Sequence, residues 1–384
     1  MKHSRERILT THVGSLPRPQ NVVDQLFAQD RGDDYDEAAF DATMTRAVRE
    51  VARQQSDAGV DVISDGEMSK ISYATYMRHR LTGFELSDSP PPRATPLDLD
   101  EFPAFRDRLA QQGGTPQYHR PVVRGPIELR DLAPLEKDIA NLRAAAAAAG
   151  AEEAFMNAAS PGVIAVFQPN EYYRSDEDYL EALAAVMKVE YERITQAGLL
   201  LQVDCPDLAM GRHIRFRDAD LATFRRAAGM QVEALNAALE NVPAEQVRIH
   251  LCWGNYEGPH THDVDLVEVI DIVLQVKAQA IQFEGANPRH AHEWRVWADA
   301  DLGDERILIP GVLDTSTNFV EHPQLVAERI ERYAAIVGRE RVLAGTDCGF
   351  GTFAGFGAVH PDIAWAKLRS LAEGARLASE RLWA

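Results

Sequence analysis

The chain has 384 residues, 59 of them acidic and 40 Lys or Arg, which gives a formal charge of −19 with histidine neutral. With 45% apolar and 26% charged residues it has the balance of a folded globular protein rather than a disordered one. A field this negative argues against a broad grip on nucleic acid or an anionic bilayer. Three cysteines, Cys205, Cys252 and Cys348, are too few for a disulfide framework and fit a reducing compartment. The charged start MKHSRERILTTHVGSLPRP lacks the apolar run of about 7 to 15 residues of a signal peptide, and no stretch reaches the roughly 18 residues of a membrane span. A cytoplasmic protein is expected, with neither nucleic acid nor membrane as partner.

Short β-rich runs alternate with helix-like stretches along the chain. Strands are expected at 8–14, 60–65, 162–167, 200–205, 247–253, 280–285, 306–313 and 341–347, rich in Val, Ile and Leu and without the strict alternation of a half-wet sheet. Helices are expected at 36–58, 176–197 with Asp176 as N-cap, 218–240, 263–277, 321–337 and 361–380. Eight strands with a helix after most of them make a (β/α)8 TIM barrel, a single α/β domain over residues 1–384. The interval 68–160 breaks the rhythm with the proline-rich DSPPPRATP, a short hairpin strand at 121–127 and an alanine-rich helix from about 134 to 149. It reads as an insertion after the second strand, together with segments covering the active-site face.

A barrel of this kind gathers its chemistry at the C-terminal ends of its strands. Glu67, Asp204, His250, Cys252, Glu284, Asp314 and Cys348 all fall at or just beyond expected strand ends. His250, Cys252, Glu284 and Cys348 form a donor set suited to tetrahedral zinc. Residues 250 and 252 point to the same side of a strand, so the pair can share an ion. Taken singly, each has a plainer reading: buried thiols are good fillers, and a lone histidine is often structural. Cys205 next to Asp204 is expected to pack its strand. His260 and His262 in GPHTHDVD form a second, weaker pair, read as substrate contact or loop polarity. The glycine-rich GTDCGFGTFAGFG lacks the spacing and lysine of a phosphate loop. Zinc holding a thiol substrate as thiolate would serve alkyl transfer to sulfur.

These residues resemble the C-terminal catalytic domain of the cobalamin-independent methionine synthase family, in a superfamily shared with epoxyalkane:coenzyme M transferases and uroporphyrinogen decarboxylase. The resemblance runs through THVGSLPRP (11–19), DGE (65–67), QVDCP (202–206), HLCWGNY (250–256), FEGANPR (283–289), PGVLD (310–314) and TDCGFGT (346–352). It implies a TIM barrel, Zn2+ on His250, Cys252, Glu284 and Cys348, and an amino-acid thiol at Ser15, Glu67 and Asp204. Three departures stand out. The length leaves no room for the family's N-terminal barrel; Asp314-Thr315-Ser316 replaces an Asp-x-His whose histidine assists the leaving group; and Gly345-Thr346 replaces an asparagine-proline.

The resemblance thus implies a zinc-dependent methyltransferase or alkyltransferase acting on homocysteine or a similar small thiol. The alkyl donor is expected to be a methylated folate, a methyl-corrinoid protein or an epoxide. The alternative is epoxide opening on a zinc-bound coenzyme M-like thiolate, with His260, His262 or Tyr256 as acid and Lys70 or Arg289 facing a sulfonate. A decarboxylase that uses Arg212, Arg215 and Arg217 against a polyacidic substrate, and a non-enzymatic metal-binding barrel, are the remaining readings. A homo-oligomer stays open.

Overall fold

The computed structural model describes residues 1–33, 35–86, 96–111 and 121–384. Ten strands occur among them: β1 (Leu9–Thr10), β2 (Val62–Ile63), β3 (Phe84–Leu86), β4 (Pro121–Val123), β5 (Glu153–Ala159), β6 (Leu200–Asp204), β7 (Val247–Leu251), β8 (Ala280–Phe283), β9 (Ile307–Leu313) and β10 (Leu343–Thr346). Eight of them form one parallel sheet in the order β1-β10-β9-β8-β7-β6-β5-β2. Its ends are stitched by Asp61 N–H to Thr10 O (3.1 Å) and Thr11 Oγ1 to Val62 O (3.0 Å). The sheet therefore curls into the expected (β/α)8 barrel, with helices outside. No helix among the described residues is long and apolar enough to cross a membrane.

Inside the barrel, alternation sorts side chains into layers. Leu9, Val62, Phe155, Leu200, Ala280, Ile307, Ile309 and Leu343 form an apolar plug. Two residues further along β5, β6 and β8 come Asn157, Gln202 and Gln282, joined by Arg248 of β7, all buried and polar. Arg248 donates to Thr11 Oγ1 (2.9 Å), His12 O (2.9 Å) and Gln282 Oε1, and lies 4.2 Å over the Phe155 ring. Gln282 Nε2 in turn donates to Thr346 O at 3.0 Å. The next inward step on β6, β7 and β8 is Asp204, His250 and Glu284.

Several elements differ from the sequence expectation. GVIAVF at 162–167 is a helix, Pro161–Phe167, and not a strand; the strand is the preceding EAFMNAA. Ser160 caps this helix by accepting Val163 N–H (2.9 Å), and Pro161 sits in its first turn. All seven of its residues are buried, so it shows no polar face and reads like a central strand. The third barrel strand thus lies inside the interval 68–160 expected as insertion. The hairpin expected there pairs β4 antiparallel with β3, and the alanine-rich helix spans Ala133–Ala149; most of DSPPPRATP lies outside the described residues. The cap of the Asp176–Gln196 helix is Ser175, accepting Asp178 N–H, in place of Asp176. Residues 263–277 hold only a turn at Leu266–Glu268 and a four-residue helix, Ile270–Val273. Their start is held as a loop because Val264 O accepts Trp253 Nε1 (2.6 Å) and Leu266 N–H donates to Glu293 (2.7 Å).

Candidate metal and thiol site

The β7 and β10 ends bring three donors together. His250, Cys252 and Cys348 are buried, with ligand atoms within 4.8 Å of one another. The two Sγ atoms are 3.5 Å apart, and Gly254 N–H donates to Cys252 Sγ at 3.2 Å. Two sulfurs about 2.3 Å from a tetrahedral zinc would be about 3.8 Å apart, so the spacing fits the ion. The thiol-thiol hydrogen bond and burial push Cys252 well above the ordinary thiol range. Both sulfurs can be thiolates only with a cation beside them.

Glu284 is buried next to this trio but outside it. Its carboxylate accepts Trp253 N–H (2.8 Å) and Asn287 Nδ2 (2.6 Å). Burial and the neighbouring Cys252 raise its affinity for a proton. The loop after Glu284 is clamped by Asp347, which accepts N–H groups from Gly285, Ala286 and Asn287, each at 2.8 Å. Asp347 thereby joins the segment behind Glu284 to the one that carries Cys348.

A cavity of about 40 Å³ opens on the trio and is walled by Ser15, Glu67, Tyr73, Asp204, Asn255 and Thr352. No Lys or Arg is among its described lining residues. Asp204 lies 3.6 Å from His250 Nδ1 and is held by Asn157 Nδ2 (3.0 Å) and Gln202 Nε2 (3.0 Å). Glu67 has a left-handed backbone, φ 56°, rare for a residue with a side chain, and its Oε2 is buried without a hydrogen-bond partner. Arg18 reaches it from behind at 3.7 Å. Burial pushes Glu67 up to about 7, opposed by Lys70 and helped by Asp204. Ser15 sits on a segment sewn down by Leu16 N–H to Gly66 O and Phe350 N–H to Ser15 O.

A second cavity of about 410 Å³ meets the first at Gly254, Asn255 and Cys348 and is lined by Tyr256, His260, Glu284, Arg289 and Asp314. Asn255 bridges the two, donating to Gly349 O and Thr352 Oγ1 and accepting from Thr315 Oγ1. Tyr256 gives its hydroxyl to Asp98 (2.8 Å) and stacks on His260. Asp314 is occupied in closing its own loop, accepting from the N–H and hydroxyl groups of Ser316 and Thr317. His262 lies outside both linings, 2.6 Å from Glu101 Oε1.

Other sequence candidates are spent elsewhere. Lys70 donates to Asn157 O (2.5 Å) and lies over the Tyr76 ring, away from the small cavity. Arg212, Arg215 and Arg217 bind Phe216 O, Asp176 and Asp100, and line neither cavity. Cys205 is buried, with its N–H on His250 O. Asp347, Asn157 and Asn255 escaped the sequence reading. Asp347 stands in TDCG beside a ligand candidate, a signal that could have found it; Asn157 lay on the unread strand.

Comparison with known proteins follows the same lines. Residues 109–363 match the model of the cobalamin-independent synthase catalytic domain. The chain is 26% identical over 381 residues to methionine synthase of Saccharolobus solfataricus, covering 97% of this chain and 95% of that protein. It is 25% identical over 345 residues to methionine synthase of Sulfolobus acidocaldarius, covering 88% and 85%. In fold it is similar to a B12-independent methionine synthase from Shewanella sp. W3-18-1 in complex with selenomethionine, with a TM-score of 0.72 at 18% identity, over 98% of this chain and 99% of that one. The chain belongs to the cobalamin-independent synthase catalytic-domain family.

Proposed function

We propose that this protein is a zinc-dependent methyltransferase that moves a methyl group from a small donor to the thiol of homocysteine or a similar amino thiol. The observation that carries the reading is the small cavity, where two carboxylates face a His-Cys-Cys trio with no cationic side chain in the described lining. Glu67 Oε2 is buried with Arg18 3.7 Å away but accepts no hydrogen bond, so it keeps room for a donor. A substrate ammonium between Glu67 and Asp204 supplies it, and the Ser15 segment receives the carboxylate.

His250, Cys252 and Cys348 would hold the metal, with Glu284 as the fourth, exchangeable ligand. Bound there, zinc holds an incoming thiol as thiolate near neutral pH. The protein's own residues fix the ammonium so that the sulfur faces the shared wall at Cys348, and they leave the larger cavity for the methyl donor. Relatives named methionine synthase over nearly the whole chain support the same reaction. The coenzyme M alternative is disfavoured because Lys70 and Arg289 lie outside the small cavity that would have to hold a sulfonate.

The test is a panel assay of the zinc-loaded protein, offering homocysteine and coenzyme M each with 5-methyltetrahydrofolate, methylcobalamin or a small epoxide. Methyl transfer to homocysteine is the expected result, and metal analysis should find about one zinc per chain. Turnover only of coenzyme M with an epoxide would overturn the reading.

A further inference from the structure

Methyl transfer from an amine leaves a nitrogen that needs a proton, and the cavity assigned to the donor must supply it. Its titratable lining residues are few. Asp314 is tied by its own loop, Asp347 by three backbone N–H groups and Glu284 by Trp253 and Asn287. Tyr256 is a poor acid because burial and Asp98 push its phenol far up. Arg289 does not release a proton in proteins, and Glu257 is exposed. Among the described lining residues His260 is the one histidine.

His260 is also held as a working imidazolium would be. Its Nδ1 lies 2.8 Å from Asp263 Oδ2, its backbone N–H donates to Asp98 (2.7 Å), and its ring stacks on Tyr256 at 4.3 Å. Its φ of 52° is a conformation that side chains rarely adopt, kept here by those three contacts. Asp263 is buried at the centre of a hub: His290 Nε2 binds it at 2.9 Å, His213 Nδ1 faces it at 3.1 Å, and Glu293 holds the far side of His290 at 2.8 Å. The charged and titratable groups around His260 are thus Asp98 and Asp263 in contact, Tyr256 against its face, and His213 and His290 across Asp263. Burial, the largest single influence, opposes charging of His260, but the bond to Asp263, the charge of Asp263, the Tyr256 carbonyl and Asp98 together outweigh it, so the ring holds its proton more tightly than usual. The Nε2 atom rests 3.1 Å from Tyr256 O, a carbonyl too weakly basic to take that proton.

We propose that His260, oriented by Asp263, is the catalytic acid that protonates the leaving amine of an N-methyl tetrahydropterin donor. This rests on the methyl-transfer reading above. The thiolate electron pair forms the S–CH3 bond as the N–CH3 bond breaks, and the pair left on nitrogen takes the Nε2 proton. The neutral ring regains a proton from water in the open cavity, while the thiol's own proton has gone to solvent. The sum is thiol plus methylamine giving thioether plus amine.

The experiment compares two methyl donors in the zinc-loaded enzyme with homocysteine. Methylcobalamin leaves as cobalt(I), with the electron pair on the metal and no proton needed, whereas 5-methyltetrahydrofolate requires one. The variant His260→Asn suits the left-handed backbone. It should lower turnover with methyltetrahydrofolate by about 100-fold, and by at least about tenfold more than with methylcobalamin. Asp263→Asn, whose zinc content and melting are checked first, should lose the same selective fraction and move the alkaline limb of kcat to lower pH. Equal losses with both donors would make His260 a structural residue and overturn the assignment, as would wild-type turnover with methylcobalamin alone. Wild-type protein inactive toward homocysteine with both donors would instead refute the methyl-transfer reading itself.

Discussion

Replacing Asp347 by Asn asks whether the clamp behind Glu284 sets the metal site. In the wild type one carboxylate accepts three backbone N–H groups at 2.8 Å, from Gly285, Ala286 and Asn287. The amide keeps one oxygen for two of them and turns its NH2 toward the third, placing donor against donor. A buried hydrogen bond to a charged group contributes about 1.5 to 3 kcal/mol. Because Glu284 precedes the clamped loop and Cys348 follows Asp347, most of that loss should fall on the metal-bound arrangement. At about 1.4 kcal/mol per tenfold, zinc affinity should drop roughly 10- to 100-fold, the range usual for residues that orient metal ligands. Competition against a chromogenic zinc chelator reads this directly, with thermal melting of the metal-free protein as control. Wild-type zinc affinity in Asp347→Asn would refute the coupling, and lowered melting with unchanged affinity would reduce the clamp to a structural role.

Cys348→Ser should lower zinc occupancy and abolish most methyl transfer, since a hydroxyl is a poorer zinc ligand than a thiolate; metal analysis and the transfer assay check both. Glu67 should give the thiol site a pH limb. Its carboxyl pKa is raised from 4.5 to about 7, so the folded chain retains a proton that the unfolded chain sheds, and its ionisation costs stability as pH rises between those values. Ammonium binding needs the ionised form, so KM for homocysteine should fall as pH rises through about 7, and Glu67→Gln should raise KM and remove that limb. Gly14→Ala should also weaken the thiol, because a Cβ there would sit 2.1 Å from Asn157 Oδ1, on the side chain that holds Asp204. At φ 138° the change should cost about 1 to 3 kcal/mol of stability, seen in denaturant unfolding, with KM raised more than kcat is lowered.

What the sequence revealed, and what it hid, has a physical pattern. The barrel was legible because buried parallel strands are runs of Val, Ile and Leu, and seven of the eight expected positions contain the strands observed. The eighth failed where apolar content stopped being diagnostic: GVIAVF is a helix buried on every side, and the neighbouring strand EAFMNAA carries a polar Asn157 that looks out of place until its bonds to Val13 O and Asp204 are seen. The His-Cys-Cys trio was legible because all three fall at expected strand ends, and residues 250 and 252 share a strand face by parity. Residues that act through the backbone were not. Asp347 binds N–H groups rather than side chains, and nothing in one sequence marks Gly285, Ala286 and Asn287 as its partners. His260 and His262 looked equivalent in the sequence, yet the fold gives one to Asp263 beside a cavity and the other to Glu101 at the surface.

The polar layer inside the barrel explains why the site can be assembled from groups so far apart in sequence. Asp204 follows Gln202, His250 follows Arg248 and Glu284 follows Gln282 by one inward step, so each functional side chain stands directly above a member of that layer. Gln202 ties β6 to Val13 O, Arg248 ties β7 to the β1 segment and to Gln282, and Gln282 ties β8 to Thr346 O on β10. An apolar layer there would pack without directional preference, and the strands could slide by small amounts at little cost. Hydrogen bonds fix direction as well as distance, and a buried guanidinium that loses them is expensive. Burying Arg248 without a carboxylate in contact is therefore a stability cost whose return is register: the strand ends that carry Asp204, His250, Glu284 and Cys348 are held in one arrangement before any metal or substrate arrives.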